Sequence, residues 1–407
     1  MSHSEISANT VPSHLAPSAA ACQALPAFQR TKAVSDHLFV NNVRFMSMAA
    51  VVLVHSITGA YGLLGMTSMD SFTMGLIQLF KFGTIGFFLI SGFLMSEGLD
   101  RRPPLEYLKR RLQRVAMPWL VWSSIFCAMR LIYYLESRRI ILRSSPGSVL
   151  LVLNNVYVSL FQSTYWFIPN LLIALSILLL CRRFLMDLRL GALFLALSLF
   201  YGLNIYAQWI PIQHHTEALF GFVFYLWLGT WGARNIDAVE AWIARTSMPA
   251  LTVLALLAWM AAQRESEVLA AAGSTDPMNT LRIGNQLYSV AVVLLVFKMR
   301  KAVWPRMVDV RANTFGIYLT HGIVLGLLVN IARRTITTAV ATNASSAPPA
   351  LLACLSLCIF AITYGCSLVL TRWLLDRSSL RWTVGAAPVS GKPQLKREFT
   401  TSLSPTC

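Results

Sequence analysis

Charged residues are scarce in this chain, and acidic residues are scarcer than basic ones. Only 13% of the 407 residues are charged, whereas 56% are hydrophobic. Soluble domains are typically about 25% charged and about 45–50% apolar, so this chain lacks the polar residues needed to cover a surface exposed to water. The shortage excludes a soluble enzyme, a disordered protein and a fibrous repeat. It predicts an all-α, polytopic bundle of transmembrane helices.

The sequence also lacks a cysteine pattern and a secretory signal. None of the seven cysteines has the spacing of a metal site or of a disulfide framework. We therefore expect free thiols, no metal and no bound cofactor. The N-terminal stretch does not join a basic segment to an apolar one, which argues against a signal peptide.

Positive charge dominates the few charged positions, with 34 Lys and Arg against 17 Asp and Glu. Such a basic chain can indicate a nucleic-acid partner, but here the basic residues lie in the gaps between apolar runs. Their concentration in alternate gaps fits the excess of Lys and Arg in cytoplasmic loops. We therefore expect no nucleic acid as a partner, and a multi-pass protein of the inner cell membrane with both termini in the cytoplasm. The same assignment places Lys81 on the outer side.

One membrane domain is expected over residues 43–376, between a flexible cytoplasmic tail at 1–42 and a second cytoplasmic tail at 377–407. A transmembrane helix needs about 20 mainly apolar residues. About ten candidate spans meet this requirement, with soft boundaries: 43–64, 79–98, 115–135, 164–181, 190–209, 217–233, 249–262, 284–299, 314–332 and 350–375.

The first span carries two ionisable residues, Arg44 near its cytoplasmic edge and His55 eleven residues later. Eleven helical steps bring the two side chains back to one face, roughly 16 Å apart along the axis. Polar residues within a membrane are costly and usually mark a pathway or a site. His55 is therefore a candidate proton acceptor for a hydroxyl group, although a histidine that only hydrogen-bonds another helix fits the pattern equally well.

Four other spans and loops carry candidate residues, each with a structural alternative. Ser91 lies in a glycine-rich segment that packing alone explains. Tyr165 and Trp166 fit either an interfacial aromatic belt or the wall of a substrate cavity. Tyr318 and His321 form a second buried polar pair, which is structural or faces the same cavity as His55. His214 and His215 look like a cluster on the outer surface, where adjacent histidines are poor evidence for a metal.

A dense basic cluster, formed by Arg110, Arg111 and Arg114, follows the second span. The positive charge that sets the orientation of membrane helices is a sufficient explanation for this cluster. The guanidinium group also suits phosphate, so the cluster is a candidate clamp for a nucleotide-type donor that approaches from the cytoplasm.

Taken together, these segments resemble the membrane acyltransferase 3 family, whose members O-acylate sugars and other acceptors. The resemblance covers residues 43 to about 330 and rests on five blocks in the order of the family: Arg44 with His55; Phe87, Phe88, Ser91, Gly92 and Phe93; Arg110, Arg111 and Arg114 with Pro118; Trp166, Phe167 and Pro169; and Gly316, Tyr318, Leu319 and His321.

The resemblance implies ten core spans, an acyl-CoA co-substrate on the cytoplasmic side and an acceptor on the outer side. It implies that His55 is the catalytic residue, that Arg44 is its partner and that the basic cluster holds the CoA phosphates. We expect acetyl transfer to a carbohydrate or a lipid-linked sugar, with Ser91 and Tyr165 as candidate donors to the acyl carbonyl. The stand-alone form of the family is expected, surrounded by membrane lipids, and its oligomeric state stays open.

Two other functions fit the same residues. A transporter or exporter of a glycoconjugate or small anion would also need buried His and Arg, although no paired short or broken helices in two matching halves are apparent. A structural or sensing membrane subunit would tolerate replacement of both His55 and Arg44.

Overall fold

Apolar helices make up most of the described part of the protein. The computed structural model describes residues 27–66, 68–101, 103–138, 146–212, 214–336 and 348–387. Within these ranges the chain forms no β-strand. Its α-helices are α1 (Ala27–Leu63), α2 (Ser71–Phe80), α3 (Gly83–Arg101), α4 (Pro104–Arg111), α5 (Met117–Arg138), α6 (Pro146–Phe161), α7 (Phe167–Leu180), α8 (Leu188–Ala207), α9 (Val223–Arg234), α10 (Ile236–Arg245), α11 (Met248–Ala271), α12 (Ile283–Phe297), α13 (Val310–Ile336) and α14 (Pro349–Asp376).

Six helical stretches of the described chain are long and apolar enough to cross a membrane: Leu38–Leu63, Ser71–Ser96, Pro104–Glu136, Leu188–Ala207, Val310–Thr335 and Pro349–Asp376. A seventh is obtained if α10 and α11, which meet at 95°, form one broken span. The all-α, polytopic architecture is thus confirmed, but the count of about ten spans is not. The apolar helices α7 and α12 are 14 and 15 residues long, roughly 22 Å at 1.5 Å per residue, short of a hydrocarbon core of about 30 Å.

The two ends of the chain fall largely outside the described residues, so the two tails stay predictions. The helix α1 begins at Ala27 and buries Phe39, Val40 and Asn42. The bundle therefore takes in the last part of the stretch 1–42.

The second expected span, 79–98, is interrupted near its start, and the apolar segment around it begins earlier, at Ser71. The helix α2 starts behind Asp70, whose side chain accepts a hydrogen bond from the Thr73 amide at 2.8 Å, and it ends at Phe80. Lys81 and Phe82 form a turn before α3 begins. Because both helices belong to the apolar stretch Ser71–Ser96, Lys81 lies inside this stretch and not on the outer side, where the charge pattern placed it.

The helices α1 and α13 run side by side in the same direction. The ring of His55 lies 5.6 Å from that of His321, measured between centroids. Farther along, a Cβ added to Gly59 would meet the Val329 side chain at 3.2 Å. Because successive positions of α1 meet successive positions of α13, residues on this face of α1 are held in register by a neighbouring helix.

A fully buried arginine joins the end of α11 and the start of α12 to α2. The Arg282 guanidinium donates to the Gln78 side chain at 2.5 Å and also donates to Ser266 and to the Ala262 carbonyl. Its Nε donates to the Asn279 carbonyl at 3.0 Å. A buried charge needs such compensation, so this network fixes the end of α2 relative to the loop that follows α11.

The helices α3 and α9 cross at the closest approach that backbones allow. A Cβ on Gly92 would overlap the Leu226 carbonyl oxygen, and a Cβ on Gly229 would overlap that of Leu89. Thr230 strengthens the crossing, since its hydroxyl donates to the Gly92 carbonyl at 3.1 Å. Small residues permit such contacts in membrane helices.

The substitution Gly229→Ala is therefore expected to force α3 and α9 apart. Overpacking of this kind costs about 1–3 kcal/mol, which should lower the thermal unfolding temperature of the purified protein in detergent. Gly232→Ala on the same helix is the matched control, because a Cβ there meets no atom of the described chain within 4 Å. Equal unfolding temperatures for the two variants would contradict the close crossing.

Candidate active site

His55 lines a small cavity in the interior of the bundle. The cavity has a volume of about 50 Å³, which is enough to hold water. Its walls come from α1, the α2–α3 turn, the start of α7 and two loops, through Val51, Val54, His55, Phe80, Lys81, Thr84, Trp166, His215 and Thr280. The cavity thus brings the side chains of two histidines and a lysine together.

His321 lies beside His55 and is completely buried. Its Nδ1 donates to the Tyr318 carbonyl at 2.7 Å and lies 3.2 Å from the Ile317 carbonyl. An imidazole that donates from Nδ1 while neutral keeps Nε2 as an acceptor. Among the described residues that Nε2 has no hydrogen-bond partner. The structure therefore places an acceptor nitrogen beside His55, although His321 is not part of the cavity wall.

Arg44 lies on the same side of α1 as His55, toward α13. Asp309 and Arg311, at the start of α13, are the charged residues that act on it electrostatically. His55 and His321 meet ten or eleven residues later on the same two helices. The side chains of Arg44 and His55 are thus both directed at α13, at two levels separated by about three helical turns. Arg44 does not line the cavity.

Tyr165, Trp166 and Tyr318 hold the start of α7 against α13. The Tyr165 hydroxyl donates to the Leu319 carbonyl at 2.6 Å, and the Tyr318 hydroxyl donates to the Thr164 carbonyl at 3.1 Å. Trp166 lines the cavity and stands edge-on to the ring of His215, 5.1 Å away between centroids. Because each phenol has a single hydrogen to donate, both tyrosines are engaged in packing and only Trp166 of the three reaches the cavity.

Ser91 is half-buried on α3 and does not line the cavity. Its neighbour Gly92 lies in the crossing with α9. This position fits the packing alternative for the glycine-rich segment.

The structure adds three residues that the sequence analysis did not assign to the site: Lys81, His215 and Asp276. Lys81 and His215 line the cavity. His215 Nδ1 lies 2.8 Å from a carboxylate oxygen of Asp276, and its backbone amide donates to the same oxygen at 3.4 Å. His215 is therefore turned into the bundle and is not part of an outer-surface cluster.

The Asp276 carboxyl is ionised in this arrangement. Burial alone would raise the pKa of Asp276, but the charge and hydrogen bonds of His215 and the charge of Lys81 outweigh it and hold that pKa well below its usual value. Burial lowers the pKa of His215, against the opposing effect of Asp276. The pair is thus a carboxylate that orients an imidazole through Nδ1, the arrangement that fixes the orientation of a histidine in many active sites.

The basic cluster lies on α4 and on the turn of π-helix, Leu112–Ala116, that follows it. Arg110 is exposed and pairs with Glu106 at 2.7 Å. Arg111 donates to the Tyr107 hydroxyl at 3.1 Å and lies over its ring. Arg114 is exposed on the π-helical turn. The cluster therefore presents guanidinium groups to the surroundings, as either a topology signal or an anion clamp requires.

Pro118 explains the π-helical turn. Proline has no amide hydrogen to give to the carbonyl four residues earlier, and here the Met117 amide bonds to the Leu112 carbonyl five residues back. A Cβ added to Gly385 would lie 3.1 Å from the Arg114 carbonyl oxygen and would also meet the Phe315 side chain of α13, so these three residues are neighbours. The basic cluster therefore packs near the same end of α13 as Arg44, while the cavity lies farther along that helix.

A bundle of apolar helices that encloses titratable side chains is the architecture of an integral membrane enzyme or transporter. A family model described as an acyltransferase domain matches residues 37–372. The chain belongs to this acyltransferase 3 family, so the resemblance carried by the five sequence blocks is confirmed. Neither a curated protein nor a solved structure matches the chain.

The substitution Asp276→Asn should destabilise the protein at neutral pH, because it removes the charge that His215 is bonded to. Hydrogen bonds to charged groups contribute about 1.5–3 kcal/mol, and the two side chains are only 16% and 15% exposed. Since the pKa of Asp276 is lowered on folding, its contribution is complete above the ordinary pKa of 3.8 and is lost as the pH falls through the folded-state pKa. Thermal unfolding of the purified protein, followed from pH 7 down to well below pH 3, measures both effects.

The matched control is Glu106→Gln, which breaks the exposed ion pair with Arg110. Exposed pairs contribute about 0–1 kcal/mol, so this variant should unfold close to the wild-type temperature. An Asp276→Asn protein as stable as the control at pH 7 would refute the assigned role of the pair.

Proposed function

We propose that this acyltransferase is an O-acyltransferase of the inner cell membrane, with both termini in the cytoplasm. It moves an acyl group, acetyl in the simplest case, from cytoplasmic acyl-CoA to a hydroxyl of a carbohydrate or lipid-linked sugar. The observation that carries this proposal is the position of His55 in the wall of a cavity within a bundle of this family.

His55 is the general base in this proposal. It removes the hydroxyl proton of the acceptor as that oxygen attacks the acyl carbonyl. The tetrahedral intermediate then collapses, the carbon–sulfur bond breaks, and the CoA thiolate takes the proton from the imidazolium. His321 is a positioning residue, since its neutral Nε2 is an acceptor beside the His55 ring.

The basic cluster holds the donor. Phosphate groups of CoA are bound by Arg110, Arg111 and Arg114, and Arg44 adds positive charge near the same end of α13. The long pantetheine arm connects those phosphates to the thioester, which allows the acyl group to reach a cavity farther along α1 and α13. Trp166 offers the acceptor an aromatic face at the cavity wall.

Replacing His55 by Ala or Gln should lower acyl transfer by about 10²–10⁴-fold, the usual contribution of a general base. The measurement is the consumption of radiolabelled acetyl-CoA by purified protein supplied with membrane-derived glycolipids. His214→Gln is the matched control and should retain wild-type activity, because His214 does not line the cavity.

Full activity in the His55 variants would exclude the base role. A wild-type protein that consumes no acyl-CoA but moves a glycoconjugate across vesicle membranes would establish the transporter instead. Mass spectrometry of cell-surface glycans with and without the protein would then identify the acceptor.

Substituting Arg110, Arg111 and Arg114 singly by Gln should weaken donor binding and leave chemistry intact. We expect the KM for acyl-CoA to rise about tenfold for each lost phosphate contact, equivalent to about 1.4 kcal/mol, with kcat unchanged at saturating donor. Steady-state kinetics at several salt concentrations measure this, and Arg182→Gln with Arg183→Gln serve as controls for loss of positive charge elsewhere. A fall in kcat without a change in KM would contradict donor binding by this cluster.

A further inference from the structure

The proposed reaction needs a group that stabilises negative charge on the acyl carbonyl oxygen. Charge develops on this oxygen as the hydroxyl attacks, and donors aimed at it are usually the largest single source of catalysis. The two residues suggested for this role by the sequence do not supply it. Ser91 does not line the cavity, and the single hydroxyl hydrogen of Tyr165 is donated to the Leu319 carbonyl.

Lys81 lies where such a group is needed. It occupies the turn between α2 and α3, inside an apolar stretch long enough to span a membrane. Its side chain lines the same 50 Å³ cavity as His55 and Thr84. The break between the two helices therefore places a cation at the cavity where His55 acts.

The charge of Lys81 is not consumed by a structural ion pair. A lysine in the apolar interior costs at least about 2.5–3.5 kcal/mol on insertion scales, and such residues usually pair with another charge. Within the described ranges Lys81 forms no ion pair, and its ammonium group makes no hydrogen bond. Asp276 acts on it through space, and the hydrogen bonds of the Asp276 carboxylate go to His215. The charge of Asp276 therefore balances that of the ammonium group, whose N–H hydrogens remain available to donate.

The backbone that carries Lys81 is held firmly. Its amide donates to the Gln78 carbonyl at 3.2 Å. The Gln78 side chain donates to Asn285 at 3.0 Å and accepts from the buried guanidinium of Arg282. Because the supporting residues are fixed by their own hydrogen bonds, the lysine is anchored as a preorganised site requires.

We propose that Lys81 is a catalytic residue that binds the acyl carbonyl oxygen and stabilises the oxyanion formed there. This inference rests on the proposed function. The acceptor oxygen forms a bond to the acyl carbon, the carbonyl π electrons move to the oxygen beside the Lys81 ammonium, and His55 holds the proton. Collapse restores the carbonyl, releases the thiolate and returns the proton from His55 to sulfur, so Lys81 keeps its own proton throughout.

A nucleophilic role for Lys81 does not fit the reaction. Acylation of its amine would form an amide, which an alcohol does not readily cleave, so the transfer would stop at the enzyme. The cation is therefore the useful form, and the ionised Asp276 nearby favours it.

The test compares Lys81→Met with Lys81→Arg, with Lys301→Met as the matched control at an exposed lysine. For each full-length protein, kcat and the KM for acetyl-CoA are measured, together with the affinity for S-ethyl-CoA, a thioether that has no carbonyl. We expect Lys81→Met to lose about 10²–10³-fold in kcat, as for loss of one oxyanion donor, with S-ethyl-CoA affinity within twofold of wild type. Lys81→Arg should recover at least tenfold over Lys81→Met, because it retains the cation.

Three outcomes would overturn the inference. The first is a Lys81→Met protein whose kcat is within threefold of wild type. The second is a Lys81→Arg protein that binds S-ethyl-CoA but is no more active than Lys81→Met. The third is loss of S-ethyl-CoA binding in both Lys81 variants but not in the control. The last result would assign Lys81 to donor binding or to folding. Failure of the proposed function is seen separately, since the wild-type protein would then consume no acetyl-CoA.

Discussion

Inside a bundle of apolar helices, every polar group must find a partner in the protein or face a cavity. Most of the buried polar side chains here meet this requirement locally. Arg282 is enclosed by oxygen acceptors, Tyr165 is bonded to α13, and His321 is bonded to the turn before it. His55 and Lys81 differ because they face a common cavity. The candidate chemistry of this protein is thus concentrated at a cavity, where polar groups can meet water or a substrate.

Two kinds of structure meet at that cavity. On one side, α1 presents His55 to the cavity, and the parallel helix α13 places the ring of His321 beside that of His55. On the other side, the wall comes from a helix break and two loops, through Lys81, His215 and Thr280. The Arg282 network joins these irregular segments, since it bonds to Gln78 in α2 and to the Asn279 carbonyl in the loop after α11. The helix break and the two loops are thereby tied to the bundle.

The sequence predicts the part of the site that one helix carries. Arg44 and His55 are found because their spacing is a property of a single helix, and the all-α architecture follows from composition. Asp276 and His215 are not found, since they are 61 residues apart and meet only after the loops fold inward. Lys81 was misplaced because a basic residue between apolar runs usually marks a loop. Reading 71–96 as one apolar stretch would have shown it as an intramembrane cation. The count of about ten spans is not confirmed, because α7 and α12 are apolar but shorter than the length expected of a membrane span.

The charges around the site are also unevenly distributed along the bundle, and on the proposed function this gives the two substrates different entrances. Arg44, Arg114 and Arg311 gather near the start of α13, which attracts the phosphates of an anionic donor. The far wall of the cavity carries Lys81, with the ionised Asp276 nearby, so the net charge of this wall is close to zero. A wall without net charge suits a neutral hydroxyl acceptor better than a second anion. The order of charges along α1 and α13 therefore favours a donor from the basic end and an acceptor from the other.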